Sequence, residues 1–136
     1  MTLHDDTPDA AQAPGAEAMS GPDTRGHIAR LSELAAARGL RIAVAEALTS
    51  GMLAHTIGAG EGASEWFAGG IVAYMTAVKE RVLGLTPGTD PCSAACAEQL
   101  AVGARRLFDA DLTVSTTRAG ERRGGTECRA RWSPYE

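Results

Sequence analysis

Residues 41–51, with the sequence RIAVAEALTSG, constrain the fold of this chain more than any other segment. The apolar run at 42–45 has the length and composition of a buried strand, and the polar residues at 46–50 lead directly into a helical pattern. Ligands often bind at such a junction in α/β proteins, because the first backbone N–H groups of a helix have no partner inside it. We therefore expect these N–H groups, with the hydroxyls of Thr49 and Ser50, to receive an anion or a carbonyl oxygen.

The remainder of the chain alternates helical spacing of apolar residues with short apolar runs. Gly39 and Gly84 mark predicted helix ends, and Ser93 is a predicted N-cap. The predicted elements are helices at 24–38, 49–57, 76–83 and 93–108 and strands at 42–45, 70–74 and 111–116. This alternation predicts an α/β fold with a largely parallel sheet and flanking helices.

Residues 58–70, GAGEGASEWFAGG, open with a G-x-G-x-x-A arrangement. A dinucleotide-binding loop requires a strand before this pattern and a helix after it. Here a predicted helix comes before and a predicted strand after, so we interpret the segment as a flexible loop. Trp66 and Phe67 are expected to anchor this loop by burying their rings.

The two ends of the chain differ in composition from the middle. Residues 1–23 contain almost no large apolar side chain and cannot repay the entropy of ordering, so we expect a disordered leader. Residues 24–120 form the predicted α/β domain. Residues 121–136 are rich in arginine, and we interpret them as an irregular, solvated tail. Three strands make a small core, so we expect the domain to be incomplete, with a truncated or frame-altered C-terminus.

Charge and composition exclude several classes of function. The 136 residues fit one domain, and a net charge of −4 argues against a general nucleic-acid or membrane-surface binder. The chain has no Lys or Arg before Arg25, unlike a signal peptide, so the expected location is the cytoplasm. The three histidines and three cysteines show no metal-ligand or disulfide pattern, so we expect no metal and no other cofactor. The open edges of a small sheet favour a homo-oligomer.

Tyr74, at the end of the second predicted strand, and Lys79, on the helix after it, form a candidate site with the turn at 46–50. If the first two strands are neighbours, both side chains can approach that turn. A lysine held in such a pocket can act as the base for a hydroxyl nucleophile, as in Ser/Lys amidases and acyl-transfer enzymes. The alternative from spacing alone is a surface lysine and a half-buried tyrosine.

Five segments of the chain occur in a recognisable order and spacing. They are AEALTSG at 45–51, FAGGIVAY at 67–74, KERVLG at 79–84, DPCS at 90–93 and TTRAG at 116–120. Together they resemble the C-terminal domain of the CinA family of competence/damage-inducible proteins, a domain that also occurs alone as nicotinamide mononucleotide deamidase. The family blocks read approximately A-E-S-C-T-G-G, G-x-V-x-Y-x-x-x-x-K, G-x-V-S and T-G-x-A-G-P-x-G-G, and the resemblance covers residues 28–125.

The resemblance implies a cytoplasmic amidohydrolase of pyridine nucleotide salvage, which converts nicotinamide mononucleotide to its acid form and ammonia without a metal. In this family the serine after the glutamate is the nucleophile. The resemblance assigns the role of its base to Lys79 and an assisting role to Tyr74. It places the substrate-binding positions at Glu46, Ala47, Thr49, Gly51, Thr116 and Gly120.

The nucleophile position of the family is occupied here by Ala47, which has no oxygen that could attack an amide. Ser50, which replaces the first glycine of the family's pair, is a candidate for a displaced nucleophile. In the last block Thr117 replaces a glycine and Glu121 a proline, which alters the loop expected to hold phosphate.

The sequence therefore predicts a relative of nicotinamide-nucleotide amidase that is catalytically impaired, with nicotinamide mononucleotide as its expected ligand. Two alternatives stay open at this point. One is a noncatalytic domain that binds a nucleotide or a partner, and the other is a degenerate gene remnant.

Overall fold

Helices and strands alternate along the chain in the computed structural model, which describes residues 22–118 and the backbone of residues 128–133. The elements are α1 (Pro22–Arg38), β1 (Ile42–Glu46), α2 (Met52–Gly58), α3 (Ala63–Trp66), β2 (Phe67–Val72), α4 (Thr76–Leu83), α5 (Ala94–Phe108), β3 (Leu112–Arg118) and β4 (Cys128–Ser133).

The strands form one four-stranded sheet in the order β2-β1-β3-β4. β1 pairs in parallel with β2 on one side and with β3 on the other, which confirms the predicted α/β fold with a largely parallel sheet. The candidate site of Tyr74, Lys79 and the turn at 46–50 requires the first two strands to be neighbours, and β1 and β2 are neighbours. β4 lies at the far edge and is antiparallel to β3.

β4 lies inside the segment that the sequence analysis interpreted as an irregular tail. Its sequence, CRARWS, alternates Cys, Ala and Trp with polar residues, which is the period of a strand. The pattern is short and lies in an arginine-rich segment, so the sequence analysis did not identify it as a strand. Pairing with β3 gives the strand its backbone partners. The expectations for residues 1–21, 119–127 and 134–136 concern positions outside the described residues.

Several boundaries follow the predicted local signals. The Ser93 side chain accepts the backbone N–H of Cys96 at 3.0 Å and caps α5, as expected. Gly84 ends α4 with a φ of 71°, a conformation that costs glycine little. α1 begins at Pro22, two residues earlier than expected, because proline is well suited to a first helical turn.

The segment predicted as a flexible loop is more ordered than expected. It contains α3, and β2 begins at Phe67, three residues before the predicted strand. Trp66 is only 3% exposed and its indole N–H donates to the carbonyl of Glu61 at 3.0 Å, which confirms its role as an anchor. The burial of this ring and the pairing of β2 with β1 explain why the segment does not form an open loop.

The sheet has an apolar core on each face. One cluster joins Ile42 and Val44 of β1 to Ile57 and Trp66, with partly buried residues of α1 packed against it. The other joins Ala45 to Leu83 of α4 and to residues of α5. Alternate β1 residues therefore serve opposite faces, and the carboxyl end of β1 lies between the two helical layers.

β3 is buried although its sequence, LTVSTTR, is polar. Three of its hydroxyls donate to backbone carbonyls of α5 or of the segment just before it. These bonds run from Thr113 to Ala101, from Ser115 to Ala97 and from Thr117 to Pro91. Each buried hydroxyl therefore has a partner, and the bonds fix α5 against the sheet.

Candidate functional site

Glu46, the last residue of β1, is the central polar group of the candidate site. It is only 1% exposed, and its carboxylate accepts the backbone N–H groups of Leu53 at 2.8 Å and Ala54 at 3.0 Å. The hydroxyl of Thr49 donates to the same carboxylate. The N-cap of α2, Gly51, has no side chain for capping, so Glu46 takes that role from the neighbouring strand.

The prediction that the first turn of α2 receives an anion is wrong for the helix itself. Glu46 occupies two of its N–H groups, while those of Met52 and His55 donate to the carbonyls of Thr49 and Gly51. A carboxylate from the protein has therefore taken the place that an external anion would fill.

Free backbone N–H groups remain just before α2, in the loop between β1 and α2. Within residues 22–118 and 128–133, the backbone N–H groups of Leu48, Thr49, Ser50 and Gly51 donate no hydrogen bond. Ser50 and Gly51 both have positive φ, of 51° and 100°, at the centre of a turn closed by the Met52 N–H and the Thr49 carbonyl. A row of N–H groups in such a turn can bind an anion or a carbonyl oxygen.

Thr116 on β3 connects this loop to the sheet. Its hydroxyl lies 2.9 Å from the Thr49 hydroxyl, and its carbonyl accepts the N–H of Ala47 at 3.0 Å. Thr49 uses its only hydroxyl proton toward Glu46, so Thr116 is the donor in the bond between the two threonines. Three predicted site residues, Glu46, Thr49 and Thr116, are thus joined in one network.

Ala47 is 8% exposed and packs in the apolar cluster that contains Ala73 of the β2–α4 connection and Leu83 of α4. Its side chain therefore belongs to the sheet face that is covered by α4 and α5. The network around Glu46 serves the opposite helix, α2, so the two neighbouring residues face different layers.

Lys79 lies on α4 and is only 5% exposed. Among the described residues it has no hydrogen-bond acceptor and no ion-pair partner. No described side-chain nitrogen or oxygen is wholly buried without a partner, so the ammonium must keep a small opening to solvent. The buried stem of Lys79 thus presents at that opening an ammonium without a partner among the described residues, which suits a group that meets a ligand.

Close helix packing holds α4 in place. A Cβ added at Gly103 of α5 would lie 2.0 Å from the carbonyl oxygen of Leu83, so only glycine allows the two helices to approach this closely. The backbone carbonyl of Lys79 accepts the N–H groups of Gly84 and Leu85 at the end of the helix.

The other predicted site residues are less enclosed. Tyr74 lies two residues after β2 and is 62% exposed. The alternative interpretation expected a half-buried tyrosine, and the described chain does not bury the ring to that extent. Ser50 is exposed, and no hydrogen bond joins it to Lys79. Gly120 lies outside the described residues. Thr117, a departure from the family pattern, is 1% exposed and donates to the Pro91 carbonyl at 2.7 Å.

A groove between α1 and α2, with a volume of about 1020 Å³, was not anticipated from the sequence. It meets the predicted site only at Ser50 and Gly51, and neither Lys79 nor Tyr74 lines it. On the α1 side the groove is lined by the small residues Ala29, Ser32 and Ala36. Their helical spacing is also that of ordinary core positions, so the sequence alone does not indicate a groove there. Among the described residues, no helix is long and apolar enough to cross a membrane.

The C-terminal domain profile of the CinA family matches residues 25–130 of this chain. A putative competence-damage inducible protein of Bacillus velezensis is 36% identical over 105 residues, which are 74% of this chain and 25% of that protein. A CinA-like protein of Mycobacterium avium is 40% identical over 93 residues, 65% of this chain and 21% of that protein. The chain thus spans about a quarter of the length of these relatives.

Solved structures agree on the fold. The competence damage-inducible protein A of Klebsiella pneumoniae superposes with a TM-score of 0.68 at 24% identity, over 79% of this chain and 81% of that one. A CinA superfamily protein of Escherichia coli gives a TM-score of 0.70 at 19% identity, over 99% of this chain and 87% of that one. The profile match covers well over half of the sequence, and the chain belongs to the CinA C-terminal domain family.

Proposed function

We propose that this chain is a relative of nicotinamide-nucleotide amidase that keeps a ligand pocket but has lost the attacking atom. The proposal depends on Ala47, whose methyl group packs among carbon side chains at the position where the family resemblance expects a nucleophilic serine. A methyl group has no lone pair for attack on an amide carbon. Loss of a covalent nucleophile typically lowers the rate by several orders of magnitude.

Ser50 is a poor substitute for the missing serine. It lines the groove between α1 and α2, whereas Lys79 belongs to α4, which packs on the opposite face of the sheet. Catalysis of acyl transfer needs a nucleophile and base within hydrogen-bond reach, and a misplacement of about 1 Å can cost a hundredfold in rate.

The groups that would hold a ligand are still present. The buried Lys79 lacks a partner among the described residues, and four successive N–H groups of the β1–α2 loop lack acceptors there. An ammonium and a row of N–H groups suit the phosphate or the carboxamide oxygen of nicotinamide mononucleotide. The chain would use these groups to bind the mononucleotide without turnover.

Two measurements on the full chain test the proposal. Thermal unfolding with millimolar nicotinamide mononucleotide tests binding, and ammonia release tests turnover. We expect the ligand to raise the Tm of the unmodified chain and of Arg81→Met, which removes an exposed cation from the same helix, but not of Lys79→Met. No ammonia should appear above the buffer background.

The two parts of the proposal can fail separately. Ammonia release that Lys79→Ala abolishes would disprove the loss of catalysis. A Tm that the mononucleotide leaves unchanged would disprove the retained pocket, and an equal shift in Lys79→Met would remove Lys79 from it.

A further inference from the structure

The buried face of α4 contains Lys79 and Leu83, which are one helical turn apart and therefore neighbours on the helix surface. Leu83 is 2% exposed and packs in the apolar cluster that contains Ala47 and Ala73. Long side chains on a helix lean back toward its N-terminus, and α4 begins shortly after Ala73, whose N–H donates to the carbonyl of Glu46. The stem of Lys79 therefore extends toward the end of the sheet at which Ala47 lies.

The Lys79 ammonium has no counter-charge within the described chain. No ion pair or hydrogen bond of the described residues involves it. Glu46, the buried carboxylate next to Ala47 in the sequence, is directed to the opposite layer, where it accepts the N–H groups of Leu53 and Ala54. The three N–H donors of Lys79 are therefore available to a ligand that reaches its opening to solvent.

The surroundings of Ala47 offer no side-chain acceptor. The buried side chains of its cluster contain only carbon and sulfur. Of the neighbouring backbone carbonyls, that of Glu46 already accepts the N–H of Ala73, and that of Thr116 accepts the N–H of Ala47. The described residues thus supply an ammonium donor to this part of the pocket, and a ligand group that needs an acceptor there would lose its hydrogen bond to water.

We propose that the pocket binds nicotinate mononucleotide, the acid form of the expected ligand, in preference to the amide form. This inference rests on the proposed function, because it takes the substituent of the pyridine ring to lie beside Ala47. A carboxylate has a negative charge and only acceptor oxygens, so it matches an ammonium that has only donors. A carboxamide has one such oxygen and directs its NH₂ group at surroundings that supply no free acceptor. The methyl group of Ala47 also leaves the Lys79 donors to the ligand, whereas a hydroxyl would compete for them.

This preference is distinct from a general attraction of anions. The net charge of −4 does not favour the more negative of two ligands, so the preference must come from a local group. The acid and amide nucleotides share the pyridinium ring, the ribose and the phosphate. Contacts of these parts with the loop at 48–51 or with Tyr74 are therefore common to both, and the difference in affinity reports on one substituent.

Isothermal titration calorimetry on the full chain with nicotinate mononucleotide and nicotinamide mononucleotide tests the proposal. We expect the unmodified chain to bind the acid about tenfold or more tightly than the amide, because hydrogen bonds to charged groups are the stronger class. Lys79→Met should lose at least this factor in its affinity for the acid. The matched control is Arg81→Met, which removes an exposed cation from the same helix and should keep the preference.

Circular dichroism identifies a variant that fails to fold, and the neutral variant Lys79→Gln then replaces Lys79→Met. Equal affinities of the unmodified chain for the two nucleotides, or a tighter amide, would overturn the inference. Full affinity for the acid in the folded, neutral Lys79 variant would overturn it as well.

Ammonia measured in the same samples separates this inference from the proposed function. Ammonia release contradicts the proposed function, whereas equal binding of the two nucleotides without ammonia release contradicts only the preference for the acid. Binding of neither nucleotide would overturn both.

Discussion

The carboxylate of Glu46 accepts a hydrogen bond of 2.8 Å from the backbone N–H of Leu53, seven residues further along the chain. This bond joins the carboxyl end of β1 to the first turn of α2, where the helix dipole also favours a negative charge. The loop between the two elements is therefore held at both ends. Its backbone N–H groups can keep a fixed arrangement without a side-chain cap from Gly51.

Glu46→Gln should destabilise the fold. The amide keeps one oxygen but directs an NH₂ group at a donor that the carboxylate now satisfies, so one buried N–H loses its partner. We expect a loss of about 1–3 kcal/mol in urea unfolding. Glu33→Gln, which removes an exposed ion pair with Arg30, should cost less than about 1 kcal/mol. Equal stabilities for the two variants would contradict the capping role.

The bond between the Thr49 and Thr116 hydroxyls should appear as a coupling energy. Thr49→Val and Thr116→Val keep the shape of each side chain and remove the 2.9 Å contact. A double-mutant cycle in urea should give a coupling of about 0.5–1.5 kcal/mol. Thr49→Val combined with Thr113→Val should be additive, because the Thr113 hydroxyl bonds instead to the Ala101 carbonyl. Additivity in both cycles would show that the threonine contact contributes nothing.

Gly103→Ala tests the close approach of α4 and α5. The added methyl group would meet backbone of Leu83 at 2.0 Å, which no rotamer change can relieve. We expect a loss of about 3 kcal/mol or more. Gly26→Ala places the same methyl group in α1 with no atom within 4 Å, and should stabilise the chain by about 0.5–1 kcal/mol. A well-tolerated Gly103→Ala would show that the two helices are further apart.

Lys79→Met should raise the stability of the unliganded protein. Methionine has a similar length and no charge, so it keeps the packing of the buried stem and removes the partial desolvation of an ammonium that has no partner among the described residues. We expect a gain of about 1 kcal/mol in thermal or urea unfolding. A loss of stability would indicate that the ammonium has a partner in the folded chain.

Much of the fold could be predicted from local sequence. Alternating periods identified the α/β class, and Gly84 and Ser93 marked helix boundaries correctly, because these signals act within one turn of the chain. The sequence left open whether the first two strands are neighbours, and the structure shows that they pair in parallel.

The sequence could not reveal contacts between distant segments. A helical pattern does not show that Glu46 of the preceding strand occupies the N–H groups of α2. The pairing of β4 with β3 and the groove between α1 and α2 likewise depend on how elements pack. For the site, the family resemblance gave Glu46, Thr49 and Thr116 as substrate-binding positions, and the hydrogen bonds that join them appeared only in the structure.

Ammonia release from nicotinamide mononucleotide by the unmodified chain, Lys79→Ala and Ala47→Ser in one assay tests the central claim most directly. We expect the unmodified chain to match the Lys79→Ala background, since Ala47 supplies no attacking oxygen. We expect Ala47→Ser to exceed that background by about tenfold or more, because it adds one hydroxyl at the family's nucleophile position. Release by the unmodified chain that Lys79→Ala abolishes would contradict the account.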